Sequence, residues 1–237
     1  MPLASLMDVA RGVRRRLAGK PRQGVELTVP FVHLGTEYGG YGIVLEALPP
    51  NAIVYSFGLG EDISFDLGLL SRAPANCRIF GFDPTPRSIA WVKAQGVPPA
   101  FSVRELGVAD YDGVASFAPP KNPEHISHSL LDGAGDASGK RVEFQVRRLT
   151  TLMSELGHTS LDLLKMDIEG AEYGVLEDLL QGSLRPKQLL LEFHHGMHGI
   201  PVSRSERALT ELQRAGYRIF DAQPSGREFS LLLSERT

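Results

Sequence analysis

Acids, imidazoles and glycines crowd into three short stretches of this 237-residue chain. The first, Ser56-Phe57-Gly58-Leu59-Gly60-Glu61-Asp62, follows an apolar run. Paired glycines let the backbone approach a ligand closely, and the helix expected after them offers free N–H groups. Asp83 closes the next apolar run, a place where an acid accepts both hydroxyl hydrogens of a ribose. Glycine turn and acid together indicate an adenosine-containing cofactor. A dinucleotide site usually brings a third glycine, and that place holds Ile63. Glu61 and Asp62 are poor neighbours for a pyrophosphate but no obstacle to a zwitterion or a sulfonium. No tyrosine has a lysine four residues on, and the phosphate loop of ATPases is missing. S-adenosylmethionine has a ribose, an adenine and an amino-acid tail but no phosphate, and it fits best.

The second stretch is Lys165-Met166-Asp167-Ile168-Glu169-Gly170-Ala171-Glu172. If the strand runs that far, alternation puts Lys165, Asp167 and Glu169 on one face. Asp167 can then hold the amino group of the cofactor tail, face the sulfonium, or take a hydroxyl proton. Glu169 reads equally well as an acid stabilised at a helix N-terminus. The third stretch, Glu192-Phe193-His194-His195-Gly196-Met197-His198, sets three imidazoles beside an acid. A neutral imidazole can serve as a general base or touch the substrate. A polar loop, or a metal site of Asp167, Glu169 and His194, are the other readings; the adopted one has no metal. His125-Ile126-Ser127-His128 lies in a long loop that either closes over the cleft or stays exposed. Tyr38-Gly39-Gly40-Tyr41-Gly42 either bends an entry segment over the cofactor tail or forms a plain turn.

These residues sit at the ends of apolar runs that alternate with helical periods. Strands are expected at 53–57, 78–82, 101–108, 161–166 and 188–193, and helices at 63–70, 88–95, 171–180 and 203–215, with Ser203 as an N-cap. Two last strands, 217–220 and 228–233, flank a Pro-Ser-Gly turn and read as an antiparallel hairpin. The pattern predicts a parallel α/β sheet wound on both faces. Residues 23–50 form an entry segment. Residues 110–150 hold an inserted hairpin or flap with a long loop at 119–140. The division expected is 1–34, a basic helix and entry segment, and 35–237, the catalytic domain.

Composition bounds the rest. The chain is 42% hydrophobic and 22% charged, as soluble globular domains are. A lone cysteine, Cys77, excludes an internal disulfide and suits a cytoplasmic location. Net charge is −3, which argues against nucleic acid as a partner. No run approaches the ~18 apolar residues of a transmembrane segment. Residues 1–22 carry +5 and leave −8 for the remainder. That basic segment has helical apolar spacing, and reads as a solvated helix on the domain edge rather than a membrane-surface helix.

The blocks Val54-Tyr55-Ser56-Phe57-Gly58-Leu59-Gly60-Glu61-Asp62-Ile63-Ser64-Phe65, Gly81-Phe82-Asp83-Pro84-Thr85-Pro86 and Leu164-Lys165-Met166-Asp167-Ile168-Glu169-Gly170-Ala171-Glu172 resemble the FkbM-type methyltransferases over about residues 35–235. The resemblance implies the Rossmann-like class I methyltransferase fold, a seven-stranded, mostly parallel sheet with a reversed C-terminal hairpin strand. It implies S-adenosylmethionine as methyl donor and a hydroxyl of a sugar or small metabolite, a small-molecule or glycan acceptor, as substrate. The cofactor set becomes Gly58, Gly60, Glu61, Ser64, Asp83, Pro84, Val108 and Asp167. Asp167, His194 and Glu169 are the catalytic candidates, and His128 and His195 the substrate contacts. Many class I enzymes carry an acid where this chain has Ser56, so the cofactor tail must rely on Glu61 or Asp167. A nicotinamide-dependent oxidoreductase and a cofactor-binding module without catalysis are the rival readings.

Overall fold

The structure, a computed structural model, describes residues 6–117, 142–197 and 199–234. After helix α1 (Leu6–Leu17) come strands β1 (Val32–Leu34) and β2 (Tyr41–Ile43), then β3 (Ile53–Phe57), α2 (Ser64–Leu70), β4 (Arg78–Asp83), α3 (Pro86–Ala94) and β5 (Phe101–Glu105). Next are β6 (Gly107–Val108), β7 (Gly113–Phe117), β8 (Val142–Arg147) and α4 (Leu149–Leu156). The chain ends with β9 (Leu163–Met166), α5 (Glu172–Gln181), β10 (Gln188–Glu192), α6 (Val202–Arg214), β11 (Tyr217–Ala222) and β12 (Glu228–Leu233).

Seven strands make one sheet in the order β11-β12-β10-β9-β3-β4-β5. β12 runs antiparallel to both its neighbours, and the pairs β10–β9, β9–β3, β3–β4 and β4–β5 are parallel. This is the class I methyltransferase arrangement, with the reversed hairpin strand where the sequence puts it. The central strands are apolar on both faces because both faces are covered. Tyr55, Phe57, Leu164, Met166, Leu189 and Leu191 pack towards α4, α5 and α6. Val54, Ile79, Leu163 and Leu190 pack against β1, β2 and α2.

Three departures from the sequence reading have local causes. The run 101–108 breaks at Leu106, whose N–H bonds to the Asp83 carbonyl at 3.1 Å. β5 stays in the main sheet while β6 joins β8 and β7 in a three-stranded sheet. Gly107 allows this, since a Cβ there would stand 3.1 Å from Val146. Helix α4 (Leu149–Leu156) is missing from the sequence reading. Its start is held from 36 residues away by Asp112, which accepts from Arg148 N and from Thr151 Oγ1, both at 2.8 Å. Ser203 is not an N-cap: α6 begins at Val202 after Pro201, with no side-chain cap.

The entry segment is anchored by side chains. Gln188 on β10 bonds both backbone groups of Val44, each at 3.0 Å. Glu26 N and Leu27 N bond to the Ile219 carbonyl on the edge strand β11, at 2.8 and 3.0 Å. Upstream, Arg16, Arg22 and Gln23 all reach Glu206 on α6. Among the described residues no helix is long and apolar enough to cross a membrane. His128, the 119–140 loop and His198 lie outside the described residues.

Candidate active site

The sheet grows outward from β3 in two directions, so a crevice opens at the carboxyl ends of β3 and β9. Gly58 and Gly60 fill it with a turn of left-handed backbone, φ +77° and +53°. Their surroundings differ. A Cβ on Gly58 would lie 1.7 Å from the Asp167 carbonyl oxygen, so only glycine lets the turn press on the end of β9. A Cβ on Gly60 would meet nothing within 4 Å, which leaves open space on that side of the turn.

Asp83, buried at the end of β4, organises this turn. Its Oδ2 accepts from Leu59 N at 3.1 Å and Gly60 N at 3.0 Å, and its Oδ1 accepts from Thr85 N at 2.8 Å. A carboxylate has about four acceptor sites. Three are therefore occupied by backbone, and one is left. Glu61 is paired with Arg87 at 2.9 Å on the rim. Ser64 Oγ accepts from Thr36 N at 2.9 Å. Asp62 accepts from Thr36 Oγ1 at 2.6 Å and Ser64 N at 2.8 Å, and so ties the entry segment to the turn. Burial would push its carboxyl up, but these hydrogen bonds outweigh it and hold the group below its ordinary range. Val108 is buried in the core, its side chain used for packing. Pro84 packs near Gly107.

The tip of the entry segment reaches the same crevice. Tyr38 is 89% exposed at that tip. Tyr41 is buried, with the Lys165 ammonium 5.5 Å over its ring. A Cβ on Gly39 would lie 2.8 Å from Asp62 Oδ2, so the glycine-rich stretch between the two tyrosines packs on the turn.

Acids and an imidazole meet at the other wall. β9 stops at Met166, so simple alternation does not bring Asp167 and Glu169 together. A turn does so, with Glu169 at φ +53°, an unusual conformation for a residue with a side chain. His194 Nε2 lies 3.5 Å from Asp167 Oδ1 and 3.7 Å from Glu169 Oε2. On the opposite side, its Nδ1 is 3.3 Å from Glu172 Oε1. Glu172 is 0% exposed, and its carboxylate also accepts from Gly170 N at 2.8 Å and His194 N at 2.9 Å. Burial alone would push the His194 imidazole down, but Glu172, Asp167 and Glu169 outweigh it and raise it to about 10. Burial and the nearby Asp167 push Glu192 up to about 8. Burial likewise raises Asp167, against the pull of His194 and Lys165. Asp167, Glu192 and His194 each offer one ligand atom, all within 4.8 Å of one another.

Glu172 and Glu192 are the members that sequence reasoning missed. Their signals were an acid opening the helix after the turn and an acid directly before Phe193-His194. His195 belongs elsewhere. Its Nδ1 meets Ser205 Oγ at 2.9 Å, and Ser205 meets Tyr173 OH at 2.9 Å. Burial holds its imidazole below the ordinary value. The structure thus joins it to α6.

A segment of the AMB antimetabolite synthetase AmbE of Pseudomonas aeruginosa is 25% identical over 251 residues, covering 91% of this chain and 12% of that protein. The "probable methyltransferase-like protein 24" of Rattus norvegicus is 26% identical over 191 residues, covering 76% of this chain and 45% of its own length. The chain thus spans less than half of these curated relatives. Among solved structures, an FkbM methyltransferase of Methylobacillus flagellatus KT aligns over 78% of this chain and 44% of its own, with a TM-score of 0.47 and 11% identity. The methyltransferase FkbM domain matches residues 18–219, which take in the glycine turn, Asp83 and the whole acid–imidazole wall, and the chain therefore belongs to the FkbM methyltransferase domain family.

Proposed function

We propose that this chain is an S-adenosylmethionine-dependent methyltransferase acting on a hydroxyl of a small metabolite or sugar. The observation that carries the reading is the Gly58–Gly60 turn, held by Asp83 at the switch point of the sheet with open space beside Gly60. Family membership supports the reaction class. The antimetabolite synthetase relative supports a small-metabolite acceptor.

The residues fit the cofactor. The free acceptor site of Asp83 suits one ribose hydroxyl, and Asp167 and Glu169 line the facing wall with carboxyl groups. Bound there, S-adenosylmethionine supplies a methyl group on a positively charged sulfur. The chain's part is to hold an acceptor oxygen in line and to receive its proton. Asp167 is the member an acceptor meets first, because its side chain is 33% exposed while that of His194 is 3% exposed. His194 and Glu172 fix that wall from behind. A single cysteine, buried and free, supports a cytoplasmic location.

Calorimetric titration with S-adenosylhomocysteine, with NAD as control, tests the reading. Binding of the first in the micromolar range and none of the second is expected. Binding of NAD alone would sink the proposal in favour of a hydride-transfer enzyme, and binding of neither would make the turn and Asp83 pure scaffold.

A further inference from the structure

The acid–imidazole wall gathers four carboxyl groups around one imidazole. Asp167, Glu169, Glu172 and Glu192 all crowd around His194. Their arrangement around the ring has two distinct sides. Glu172, fully buried and fixed by two backbone amides, faces Nδ1. A carboxylate at that position orients the ring and turns Nε2 to the far side. There Nε2 stands 3.5 Å from Asp167 Oδ1 and 3.7 Å from Glu169 Oε2, in a ring that is 3% exposed. A divalent cation that displaces the proton from Nε2 would sit between the imidazole and the acids.

The spacing suits one. The ligand atoms of Asp167, Glu192 and His194 lie within 4.8 Å of one another. Atoms bound at about 2.1 Å to a shared ion stand at most about 4.2 Å apart. Side-chain adjustments of about 0.6 Å or more bring them into range. The three ligands come from the ends of two adjacent strands, β9 and β10, so the main sheet itself sets their separation. Two carboxylates with one imidazole and no thiolate match manganese or magnesium better than a thiophilic ion.

We propose that Asp167, Glu192 and His194 bind a divalent cation of the manganese or magnesium type, with Glu172 orienting the imidazole. The proposal deepens the methyl-transfer reading, and rests on it only for the purpose of the ion. In that reading the cation draws the acceptor oxygen to the wall and lowers the pKa of its hydroxyl. Ion binding itself is independent of the cofactor.

The test is titration of the full chain with Mn2+, followed by loss of the electron paramagnetic resonance signal of the free aqua ion. One ion per chain is expected. Glu192→Gln and His194→Gln should each weaken binding at least tenfold. Glu172→Gln should weaken it about 10- to 100-fold without changing the stoichiometry. Glu155→Gln, at a distant surface pair with Arg147, should leave it unchanged. If His194→Gln does not fold, the partly exposed Glu192 position decides. No bound ion, or binding that survives both ligand substitutions, overturns the proposal. S-adenosylhomocysteine calorimetry on the same preparation separates the two claims. Cofactor binding without Mn2+ binding removes the cation site and leaves methyl transfer standing. Mn2+ binding without cofactor binding does the reverse.

Discussion

Gly58 and Gly60 share a backbone handedness but have opposite surroundings, and that contrast separates scaffold from ligand contact. A side chain at Gly58 collides with the Asp167 backbone, so Gly58→Ala should cost about 2 kcal/mol or more and displace the end of β9. Gly60→Ala meets no atom and should cost only about 1 kcal/mol for its left-handed φ. Its methyl group fills the space kept for the ligand. Thermal melts should therefore separate the two variants, while calorimetry should show S-adenosylhomocysteine binding at least tenfold weaker in Gly60→Ala. A second residue-scale prediction concerns His158, whose Nδ1 is 2.7 Å from the Tyr55 hydroxyl. Burial, helped by Arg78 and Arg104, lowers its imidazole. Such a group contributes stability in full above the unfolded value of about 6.5 and loses it as pH falls through the folded one. Urea midpoints should drop from pH 7 to pH 5, and His158→Gln should drop less. The sequence placed Gly58, Gly60, Asp83, Asp167 and His194 at one crevice because their positions follow from where the apolar strands end. It could not expose Glu172, whose role needs α5 to touch the end of β10, 22 residues away. Nor could it separate His194 from His195, since neighbours along an extended chain point to opposite sides.

At the scale of elements, the parallel core was legible because strands covered on both faces are apolar throughout. What escaped were elements held by distant partners. Helix α4 takes its cap from Asp112, and β1 and β2 are held in place from β10. Gln188 is the test of the second case. Gln188→Leu keeps the apolar packing of the strand but leaves the Val44 N–H and carbonyl without partners. Each buried group left unsatisfied costs about 1–3 kcal/mol. Hydrogen exchange of residues 41–48 should accelerate by at least tenfold, more than that of β3 or β9. Equal acceleration across the sheet would show that the entry segment unfolds only with the core. Since Thr36 ties this segment to Asp62 beside the glycine turn, its loosening should also weaken cofactor binding.

Over the whole molecule, charge is divided between a basic N-terminal segment and an acidic body. The two meet at Glu206, which takes Arg16 at 2.5 Å and Arg22 at 3.4 Å. Pairs this exposed are each worth about 0–1 kcal/mol and are screened by salt. Glu206→Gln should leave the melting temperature nearly unchanged, yet speed tryptic cleavage at Arg14, Arg15 and Arg16 several-fold, most at low salt. The bonds from Glu26 and Leu27 to Ile219 act at a different place, the outer rim of the sheet. An open sheet ends in strands whose hydrogen bonding is unfinished, and such rims invite pairing between separate molecules. Here the chain's own backbone occupies part of β11, beside the irregular register between Ile219 and Asp221. The rim at β5 carries the exposed charges Arg104 and Glu105 instead. The crossing of the entry segment over β11 is therefore also a guard against aggregation, and a chain that lost it would sediment as polymers before it lost its fold.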